Sequence, residues 1–354
     1  MRTEFLTLDG SASDNDKIVH AAQLLRAGEL VAFPTETVYG LGVDARNPEA
    51  LARLTKVKGR PQGKPFSLLV PSLRQAEEAA GGFSRIARKL ARVYWPGPLT
   101  LVVPRPGGGR VGLRLPEHAV ARSLLAHCGM PLATPSANRS GSAEPISAQQ
   151  VRDSLDGEIA LILDSGPARQ GRPSAVVVVE ENSIQIDRPG VIPDSELKEV
   201  ASPTILFVCT GNTCRSPMAA GFCKLVLADT QGKKPAPLPF RVVSAGTQAQ
   251  DGKGADPMAI EAMREIDIDI SGHRTTNLTP SLLDGADWIF TMTDAQRESI
   301  LNLMPSCADR VQLLSCGKDE IEDPVSHSSK LYRRVRDKIA IHLREVVKMV
   351  GGAA

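Results

Sequence analysis

The sequence lacks several features that define whole classes of protein. It contains no uninterrupted run of roughly 18 apolar residues, so it predicts no membrane-spanning helix and no membrane partner. Its amino terminus has no apolar core of the kind found in signal peptides. No Cys-x2-Cys spacing occurs, which argues against a structural zinc site. We therefore expect a cytoplasmic protein with reduced thiols and no metal site of its own. The six cysteines are Cys128, Cys209, Cys214, Cys223, Cys307 and Cys316.

Neither sign of charge dominates, and aromatic residues are scarce. The 42 basic and 40 acidic side chains give a formal net charge of +2, so charge alone makes no case for nucleic-acid binding. The chain has only three tyrosines and two tryptophans. A length of 354 residues with 42% hydrophobic side chains predicts two domains of ordinary size, each with its own core.

Residues 204–218 carry the clearest chemical pattern in the sequence. A short apolar run, 205–208, predicts a buried strand that leads into Cys209, and Ser216 with Pro217 predicts the start of a helix. A loop between a strand and a helix amino terminus binds anions and favours a thiolate at Cys209. Arg215 can offer a bidentate fork to a bound oxyanion. This geometry indicates phosphoryl transfer through a phosphocysteine, whereas the plain alternative is a buried cysteine followed by a surface arginine.

From about residue 204 to 350, the sequence resembles the low-molecular-weight protein tyrosine phosphatase family. That resemblance implies that Cys209 is the nucleophile, that Arg215 grips the phosphoryl oxygens and that Ser216 hydrogen-bonds the thiolate. It also implies that Asp323 is the general acid. No cofactor is implied. The matching motifs are Cys209-Thr-Gly-Asn212-Thr213-Cys214-Arg-Ser-Pro, Ser244-Ala-Gly-Thr, Ser271-Gly-His-Arg, Thr291-Met-Thr and Asp323-Pro.

Two departures from the family pattern bear on the phosphorylated protein substrate. Tyrosine-specific members usually carry tyrosine after Asp-Pro, where this chain has Val325. Thr213 resembles the residue that bacterial protein arginine phosphatases carry at this place. We therefore expect phosphoarginine, with phosphotyrosine left open. An arsenate reductase on the same fold is the alternative, but Cys307 and Cys316 do not match its cysteine spacing.

Two further residues of this half invite a functional interpretation. We interpret His273 as a structural brace for the loop rather than a catalytic base. Cys214 is either the partner of a reversible disulfide with Cys209 or a small packed thiol, and the sequence does not decide between the two.

In the first half, cations and hydroxyl residues gather at predicted loops and strand ends. Lys58, Arg60 and Lys64 fall in one loop, and Ser136 with Asn138 forms a tight turn. Such a set suits a polyphosphate whose charge is shared with Mg²⁺, whereas the plain alternative is a solvated surface.

From about residue 16 to 192, the chain resembles the YrdC-like threonylcarbamoyl-AMP synthases, which join ATP, L-threonine and bicarbonate. In that family, threonylcarbamoyl-transferase proteins then pass the group to an adenosine of tRNA. The resemblance implies that Thr37 and Ser174 contact threonine. It assigns the remaining residues to ATP with Mg²⁺: Lys58, Arg60, Lys64, Arg114, Ser136, Asn138 and Arg188. A non-catalytic RNA-binding module is the alternative. The matching blocks are Phe33-Pro-Thr-Glu-Thr-Val-Tyr-Gly-Leu-Gly, Lys58-Gly-Arg-Pro, Trp95-Pro-Gly-Pro-Leu-Thr, Arg114-Leu-Pro, Pro135-Ser-Ala-Asn-Arg-Ser-Gly and Arg188-Pro-Gly.

The order of apolar and polar stretches predicts an α/β protein. Residues 1–197 are expected to form a mixed α/β sheet domain, and residues 198–354 a doubly wound parallel sheet. The polar segment 194–203 is expected to be the linker. Residues 34–42 are too polar and too rich in glycine for us to predict a continued buried strand there.

Overall fold

The structure is a computed structural model that describes residues 2–11, 13–61, 63, 65–181, 183–231, 240–317 and 319–352. The chain forms two compact units, Met1–Ala201 and Ser202–Ala354. None of the helices in the described part combines the length and the apolar character needed to span a bilayer.

The N-terminal unit is built on a mixed sheet, as predicted. Parallel pairs such as β1 with β8 alternate with antiparallel pairs such as β2 with β3. Within the described residues, ten strands join in the order β1-β8-β2-β3-β7-β4-β6-β5-β9-β10. The strands are β1 (Glu4–Thr7), β2 (Val31–Phe33), β3 (Gly40–Asp44), β4 (Leu68–Leu69), β5 (Leu99–Pro104), β6 (Arg110–Arg114), β7 (Leu132–Ala133), β8 (Leu161–Asp164), β9 (Ala175–Val179) and β10 (Ile184–Arg188).

Helices cover both faces of this sheet, because successive side chains of a strand point to opposite faces. In β2, Val31 and Phe33 pack into one buried cluster while Ala32 packs into another. Helices α1 (Asp14–Arg26) and α5 (Ala119–Cys128) close the first cluster; α2 (Pro48–Lys58) and α6 (Ala148–Leu155) close the second. The other helices of this unit are α3 (Leu73–Ala80), α4 (Arg85–Tyr94) and α7 (Asp194–Ala201).

Local signals explain where the site-bearing elements end. The side chain of Asn47 accepts hydrogen bonds from two backbone N–H groups of the first turn of α2. Gly59 ends the helix in the left-handed conformation, with φ of 59°. A glycine adopts that conformation without steric cost, so the chain turns directly after Lys58. This turn leaves Lys58 on the helix and Arg60 on the loop beside it.

The expectation for residues 34–42 was wrong at its end, because β3 begins at Gly40 and is buried throughout. Its glycines make this possible by leaving room for large neighbours. A Cβ at Gly42 would lie 2.7 Å from Cε1 of Phe33 on the paired strand. The glycines that seemed to argue against a strand are therefore what allows one here. The short elements β1, α6 and α10 (Pro280–Gly285) were also not predicted.

The segment predicted as a linker folds instead as helix α7. Leu197 and Ala201 are buried on one side of it, against α4. The hydroxyl of Tyr94 donates to Glu196 Oε1 at 3.0 Å. The segment is polar overall but has one apolar stripe, which suffices to bind it to the unit. The division between units therefore follows Ala201.

The C-terminal unit is doubly wound, as predicted. In its described residues, four parallel strands join in the order β12-β11-β13-β14. They are β11 (Thr204–Cys209), β12 (Arg241–Gly246), β13 (Trp288–Thr291) and β14 (Val311–Leu313). One face packs against α8 (Arg215–Gln231), α9 (Pro257–Arg264) and α12 (Ser329–Gly352), and the other against α10 and α11 (Asp294–Leu303). Cys209 thus ends a central strand.

Candidate active sites

A cavity of about 700 Å³ in the N-terminal unit brings the residues predicted for substrate binding together. Lys64 lies outside the described residues. The other predicted residues all line the cavity: Thr37, Lys58, Arg60, Arg114, Ser136, Asn138, Ser174 and Arg188. Within the part of the chain that the structure describes, no group of three or more His, Cys, Asp or Glu side chains is arranged to hold a metal ion.

Lys58 shapes one end of the cavity by binding the turn that follows β7. Its ammonium donates to the carbonyl of Ser136 at 2.7 Å, to the carbonyl of Asn138 and to Asn138 Oδ1 at 3.2 Å. These three bonds match the three donors of an ammonium. Burial, together with the nearby charge of Arg60, lowers the pKa of Lys58 to about 8. Lys58 therefore holds the turn in this structure, and a phosphate role for it stays a prediction.

The rest of this end is a rim of polar groups on two loops. The Asn138 amide donates to the carbonyls of Arg139 and Ser142, at 3.1 and 2.7 Å. Arg60 donates to the carbonyl of Pro65 at 2.8 Å, and its guanidinium carbon lies 4.8 Å from the ring centroid of Phe66. The turn therefore has its own internal hydrogen bonds. Arg60 is a half-buried cation on the other loop.

Arg114 lies beside Thr37 in the cavity wall and is more deeply buried than Arg60. It is 7% exposed, and its Nε donates to the carbonyl of Gly97 at 3.1 Å. Its Nη2 donates to Thr37 Oγ1 at 2.9 Å and lies 2.8 Å from Glu36 Oε1. Sequence reasoning missed Glu36. The available signal was its place between the two threonines of the Pro-Thr-Glu-Thr block.

Ser174 and Arg188 are joined to each other in the same cavity wall. Nε of Arg188 donates to the carbonyl of Ser174 at 3.1 Å, and its Nη2 donates to Ser174 Oγ at 3.2 Å. Thr100 Oγ1 lies 2.9 Å from the same hydroxyl, and Glu144 lies 3.7 Å from Arg188. Thr100 and Glu144 also line the cavity and were missed. The cavity wall therefore combines cations with hydroxyl groups, which suits a phosphorylated nucleotide and a small polar molecule.

In the C-terminal unit, Cys209 lies at the floor of a closed loop. Its Sγ accepts a hydrogen bond from the backbone N–H of Asn212 at 3.2 Å and lies 3.0 Å from Ser216 Oγ. Ser216 was predicted to cap a helix that begins at Pro217, but helix α8 begins two residues earlier, at Arg215, so Ser216 lies inside the first turn. These donors suit a negatively charged sulfur.

Asn212 holds the loop together. Its backbone is left-handed, with φ of 55°. The side-chain amide donates to Ser216 Oγ at 2.9 Å and to Ser244 Oγ at 3.0 Å, and Oδ1 accepts from the N–H of Thr276 at 2.8 Å. Because Ser216 Oγ accepts this bond, its own hydrogen is available to Cys209 Sγ at 3.0 Å or to the carbonyl of Ala245 at 3.3 Å.

His273 braces the same loop, as predicted. Its Nε2 donates to the carbonyl of Asn212 at 2.8 Å. A carbonyl only accepts, so Nε2 carries the hydrogen. Burial lowers the pKa of His273, which favours the neutral ring. A neutral ring with its hydrogen committed to a backbone oxygen acts as a support rather than a base.

The loop approaches the end of β12 so closely that only glycine fits there. A Cβ at Gly246 would lie 2.5 Å from the carbonyl oxygen of Thr210 and 2.9 Å from the nitrogen of Asn212. The N–H groups of Thr247 and Gln248 donate to the carbonyls of Cys209 and Thr210, at 2.9 and 3.0 Å. The neighbouring strand therefore fixes the loop by direct backbone contact.

Arg215 and Asp323, 108 residues apart, form an ion pair at the mouth of the loop. Arg215 is 4% exposed and also donates to the carbonyl of Ile321 at 3.1 Å. The Asp323 side chain is 47% exposed, and its Oδ1 accepts from the N–H of Val325 at 3.2 Å. The fold thus brings together the predicted anion-binding cation and the predicted general acid.

Thr213 and Cys214 are neighbours in the loop but differ in burial. Thr213 is half-buried, with Oγ1 3.5 Å from Cys214 Sγ. Cys214 is buried against the Tyr332 hydroxyl at 3.6 Å, and burial raises the pKa of its thiol to about 11. Both Cys209 and Cys214 are free thiols here. In this structure Cys214 is a small packed thiol and is not joined to Cys209 by a disulfide.

Comparison with known proteins assigns a family to each unit. The Sua5/YciO/YrdC family model, described as "Telomere recombination", matches residues 23–190. A model described as low molecular weight phosphotyrosine protein phosphatase matches residues 204–352.

Two curated relatives match the first unit. The threonylcarbamoyl-AMP synthase of Bacillus subtilis (strain 168) is 39% identical over 210 residues, 56% of this chain and 61% of that protein. The chain thus spans about three-fifths of that relative's length. The putative threonylcarbamoyl-AMP synthase of Mycobacterium tuberculosis (strain CDC 1551 / Oshkosh) is 38% identical over 192 residues, 52% of this chain and 88% of that protein.

A solved structure matches the second unit. It is a YwlE mutant from Bacillus subtilis, 34% identical, covering 42% of this chain and 99% of that chain with a TM-score of 0.39. The two family models and the curated relatives show that the chain belongs to the Sua5/YciO/YrdC family and that its C-terminal unit is a low molecular weight phosphatase domain.

Proposed function

We propose that the N-terminal unit joins L-threonine, bicarbonate and ATP into threonylcarbamoyl-AMP and pyrophosphate. The observation that carries this proposal is the convergence of eight motif residues on one cavity of about 700 Å³. The curated relatives named threonylcarbamoyl-AMP synthase support it. The six free cysteines suit the reducing cytoplasm, where we place the reaction.

The reaction needs positioning more than a side-chain nucleophile. The neutral threonine amine attacks the carbon of bicarbonate, and the carbamate forms as the displaced hydroxide leaves as water with one amine hydrogen. A carbamate oxygen then attacks the α-phosphorus of ATP, and pyrophosphate leaves with the electrons of the broken P–O bond. The protein contributes by holding both substrates together and by placing cations where charge develops. The part of the cavity wall with Thr37 suits threonine, and the part with Arg60 suits phosphates.

Mg²⁺ would accompany ATP. This ion is usually held by substrate phosphates and one or two carboxylates, and Glu144 and Asp187 are carboxylates in the cavity wall. When bound, Mg²⁺ offsets the charge of the phosphates. Glu144 and Asp187 fit that role, and the hydroxyl groups of Thr37 and Ser174 would bind threonine.

The test is pyrophosphate release by the purified chain. We expect release from ATP only when both L-threonine and bicarbonate are present. Release without threonine would overturn the assignment. A salt-sensitive gel shift with RNA, with no adenylate formed, would instead favour an RNA-binding module. A positive result would make threonylcarbamoyl-transferase proteins acting on tRNA the expected consumers of the product.

We propose that the C-terminal unit hydrolyses phosphorylated proteins through a phosphocysteine. The observation that carries this proposal is the set of donors around Cys209 Sγ, namely the Asn212 N–H and the Ser216 hydroxyl, with Arg215 and Asp323 at the loop mouth. A thiolate in such a loop is the expected nucleophile.

The reaction then takes two steps. Cys209 Sγ attacks phosphorus, the bond from phosphorus to the leaving group breaks, and Asp323 donates a proton to that group. Water then attacks phosphorus and gives a proton to Asp323, the S–P bond breaks, and phosphate leaves. In the structure Arg215 is bound to Asp323, so a phosphoryl group at Cys209 competes with that carboxylate for the guanidinium.

We further propose that the preferred substrate is phosphoarginine. The position after Asp323-Pro324 is Val325, whose side chain is exposed and offers no aromatic wall for a tyrosine ring. Thr213 places a hydroxyl in the loop, 3.5 Å from Cys214 Sγ, where it can bind a guanidinium or orient water. Phosphotyrosine is the competing substrate.

The test compares phosphoarginine and phosphotyrosine peptides, with Cys209→Ser as the blank. We expect faster hydrolysis of phosphoarginine, a shift toward phosphotyrosine in Thr213→Ile, and a gain on phosphotyrosine in Val325→Tyr. An unchanged ratio in Thr213→Ile would remove Thr213 as the selector.

An arsenate reductase is disfavoured by where the cysteines lie. Cys307 packs into the buried cluster on one face of the parallel sheet, and Cys209 and Cys214 belong to the cluster on the other face. Cys316 is exposed. The sheet therefore separates Cys307 from the nucleophile.

A further inference from the structure

A buried carboxylate behind the N-terminal cavity has no part in the mechanism above. Glu36 is 1% exposed and precedes Thr37 in the sequence. Its Oε1 lies 2.8 Å from Arg114 Nη2. No described residue forms a hydrogen bond with either carboxylate oxygen, so the contact with Arg114 is an ion pair. A buried carboxylate normally has several partners, whereas the contact that the structure gives Glu36 is the ion pair with Arg114.

The contacts of Arg114 leave one edge of its guanidinium toward the cavity. Nε is bound to the carbonyl of Gly97, and Nη2 is bound to Thr37 and Glu36. No described residue accepts a hydrogen bond from Nη1, and Arg114 is part of the cavity wall. Two N–H donors of a planar cation are therefore available to an oxyanion.

The surrounding charges explain why a carboxylate is needed. The positive charges of Arg188 and Arg114 repel each other, and both arginines border the same cavity. His118 also faces Glu36, but burial lowers the pKa of this histidine, so the neutral ring adds no charge at pH 7. Arg169 lies near His118. Glu36 is thus the negative charge in contact with Arg114.

We propose that Glu36 is a positioning residue. It holds Arg114 with the Nη1 edge of the guanidinium toward the cavity, so that Arg114 binds an oxyanion of one substrate. This inference rests on the proposed synthase function. A carboxylate that only stabilised the fold would not select among substrates. One that positions Arg114 affects the KM of whichever substrate Arg114 binds.

The experiment measures pyrophosphate release in wild type, Glu36→Gln, Arg114→Lys and the double variant. The KM values of ATP, L-threonine and bicarbonate are each determined with the other two substrates saturating. We expect Glu36→Gln to raise one KM at least tenfold, with kcat within threefold. The substrate whose KM rises should be the same as in Arg114→Lys. In the double variant, that KM should lie within twofold of its value in Arg114→Lys.

The matched control is Asp44→Asn. Asp44 is also a buried carboxylate paired with an arginine, Arg46 at 3.1 Å, but it is not in the cavity wall. All three KM values should stay within twofold of wild type. Glu36→Asp keeps the charge on a shorter side chain and should fall between wild type and Glu36→Gln.

Three results would overturn the proposal: a change in kcat with every KM unchanged, an effect on a different substrate from Arg114→Lys, or fold-changes that multiply in the double variant. If Glu36→Gln does not fold, the Glu36→Asp comparison carries the same criteria. If wild type releases no pyrophosphate, the proposed function fails. Thermal shifts with ATP and with L-threonine then apply the matching-substrate criterion to binding alone.

Discussion

Replacing Asn212 by alanine tests the claim that one side chain holds the phosphate-binding loop. The change removes the bonds to Ser216 and Ser244 at 2.9 and 3.0 Å and the bond from Thr276 at 2.8 Å. Each such bond contributes about 1 kcal/mol, and alanine at a φ of 55° costs about 1 kcal/mol more. We expect the C-terminal unit to lose about 4 kcal/mol of unfolding free energy.

The same change should impair catalysis. Without the Asn212 amide, nothing directs the Ser216 hydrogen toward Cys209, and the loop loses its defined shape. Loss of one pre-positioned donor commonly lowers kcat by about 10²–10³. We expect a fall of that size in kcat/KM for p-nitrophenyl phosphate.

Two measurements check this prediction. Urea titration followed by Trp288 fluorescence, in a Trp95→Phe background, reports the stability of the C-terminal unit, and initial rates report catalysis. Asn302→Ala is the control, because Asn302 is exposed on α11. A stability loss below about 1 kcal/mol together with rates within threefold of wild type would refute the reasoning.

Three further predictions follow from single contacts. Gly246→Ala should destabilise the C-terminal unit by about 1–3 kcal/mol and abolish hydrolysis, since its Cβ would meet Thr210 and Asn212; normal rates would contradict this. Burial lowers the pKa of Lys58 to about 8, below the unfolded value of 10.5, so the unfolded chain binds this proton more tightly. Burying the charged ammonium therefore destabilises the folded unit by its full amount below pH 8, and this destabilisation disappears as the pH rises toward 10.5. Denaturation of the N-terminal unit should therefore show stability rising over that range by up to about 3 kcal/mol more in wild type than in Lys58→Met; parallel profiles would be evidence against it. Cys214→Ser should keep phosphatase rates within threefold, because burial raises the pKa of this thiol to about 11 and keeps it protonated; a hundredfold loss would give this residue a catalytic role.

The loop around Cys209 in the C-terminal unit was predictable because its parts are contiguous. Strand β11, the turn at Asn212 and the start of α8 follow one another within a few residues, and each has a local signal in hydrophobic period, glycine content or proline position. The start of α8 was misplaced by two residues, because the predicted cap, Ser216, lies inside the first turn with its hydroxyl at Cys209 and Ala245 instead of at the helix N–H groups.

Elements whose signals are not local were missed. The strand β3 depends on how Phe33 fills the space above Gly42, which is a contact between strands. Helix α7 depends on an apolar stripe finding α4 about 100 residues earlier in the chain, as the 102-residue separation of Tyr94 and Glu196 shows. Propensity and composition describe a segment alone and carry no information on such partners.

The sequence by itself determined which residue types stand in which motifs, and so the two families and most of the residues that meet at each site. Only the tertiary structure decided how those residues are bonded. It pairs Arg215 with Asp323, commits Lys58 to the turn at Ser136, and sets the buried charge of Glu36 against Arg114. The reason is that a motif records short-range geometry along the chain, whereas these bonds depend on strand register and on burial, which are properties of the folded chain as a whole.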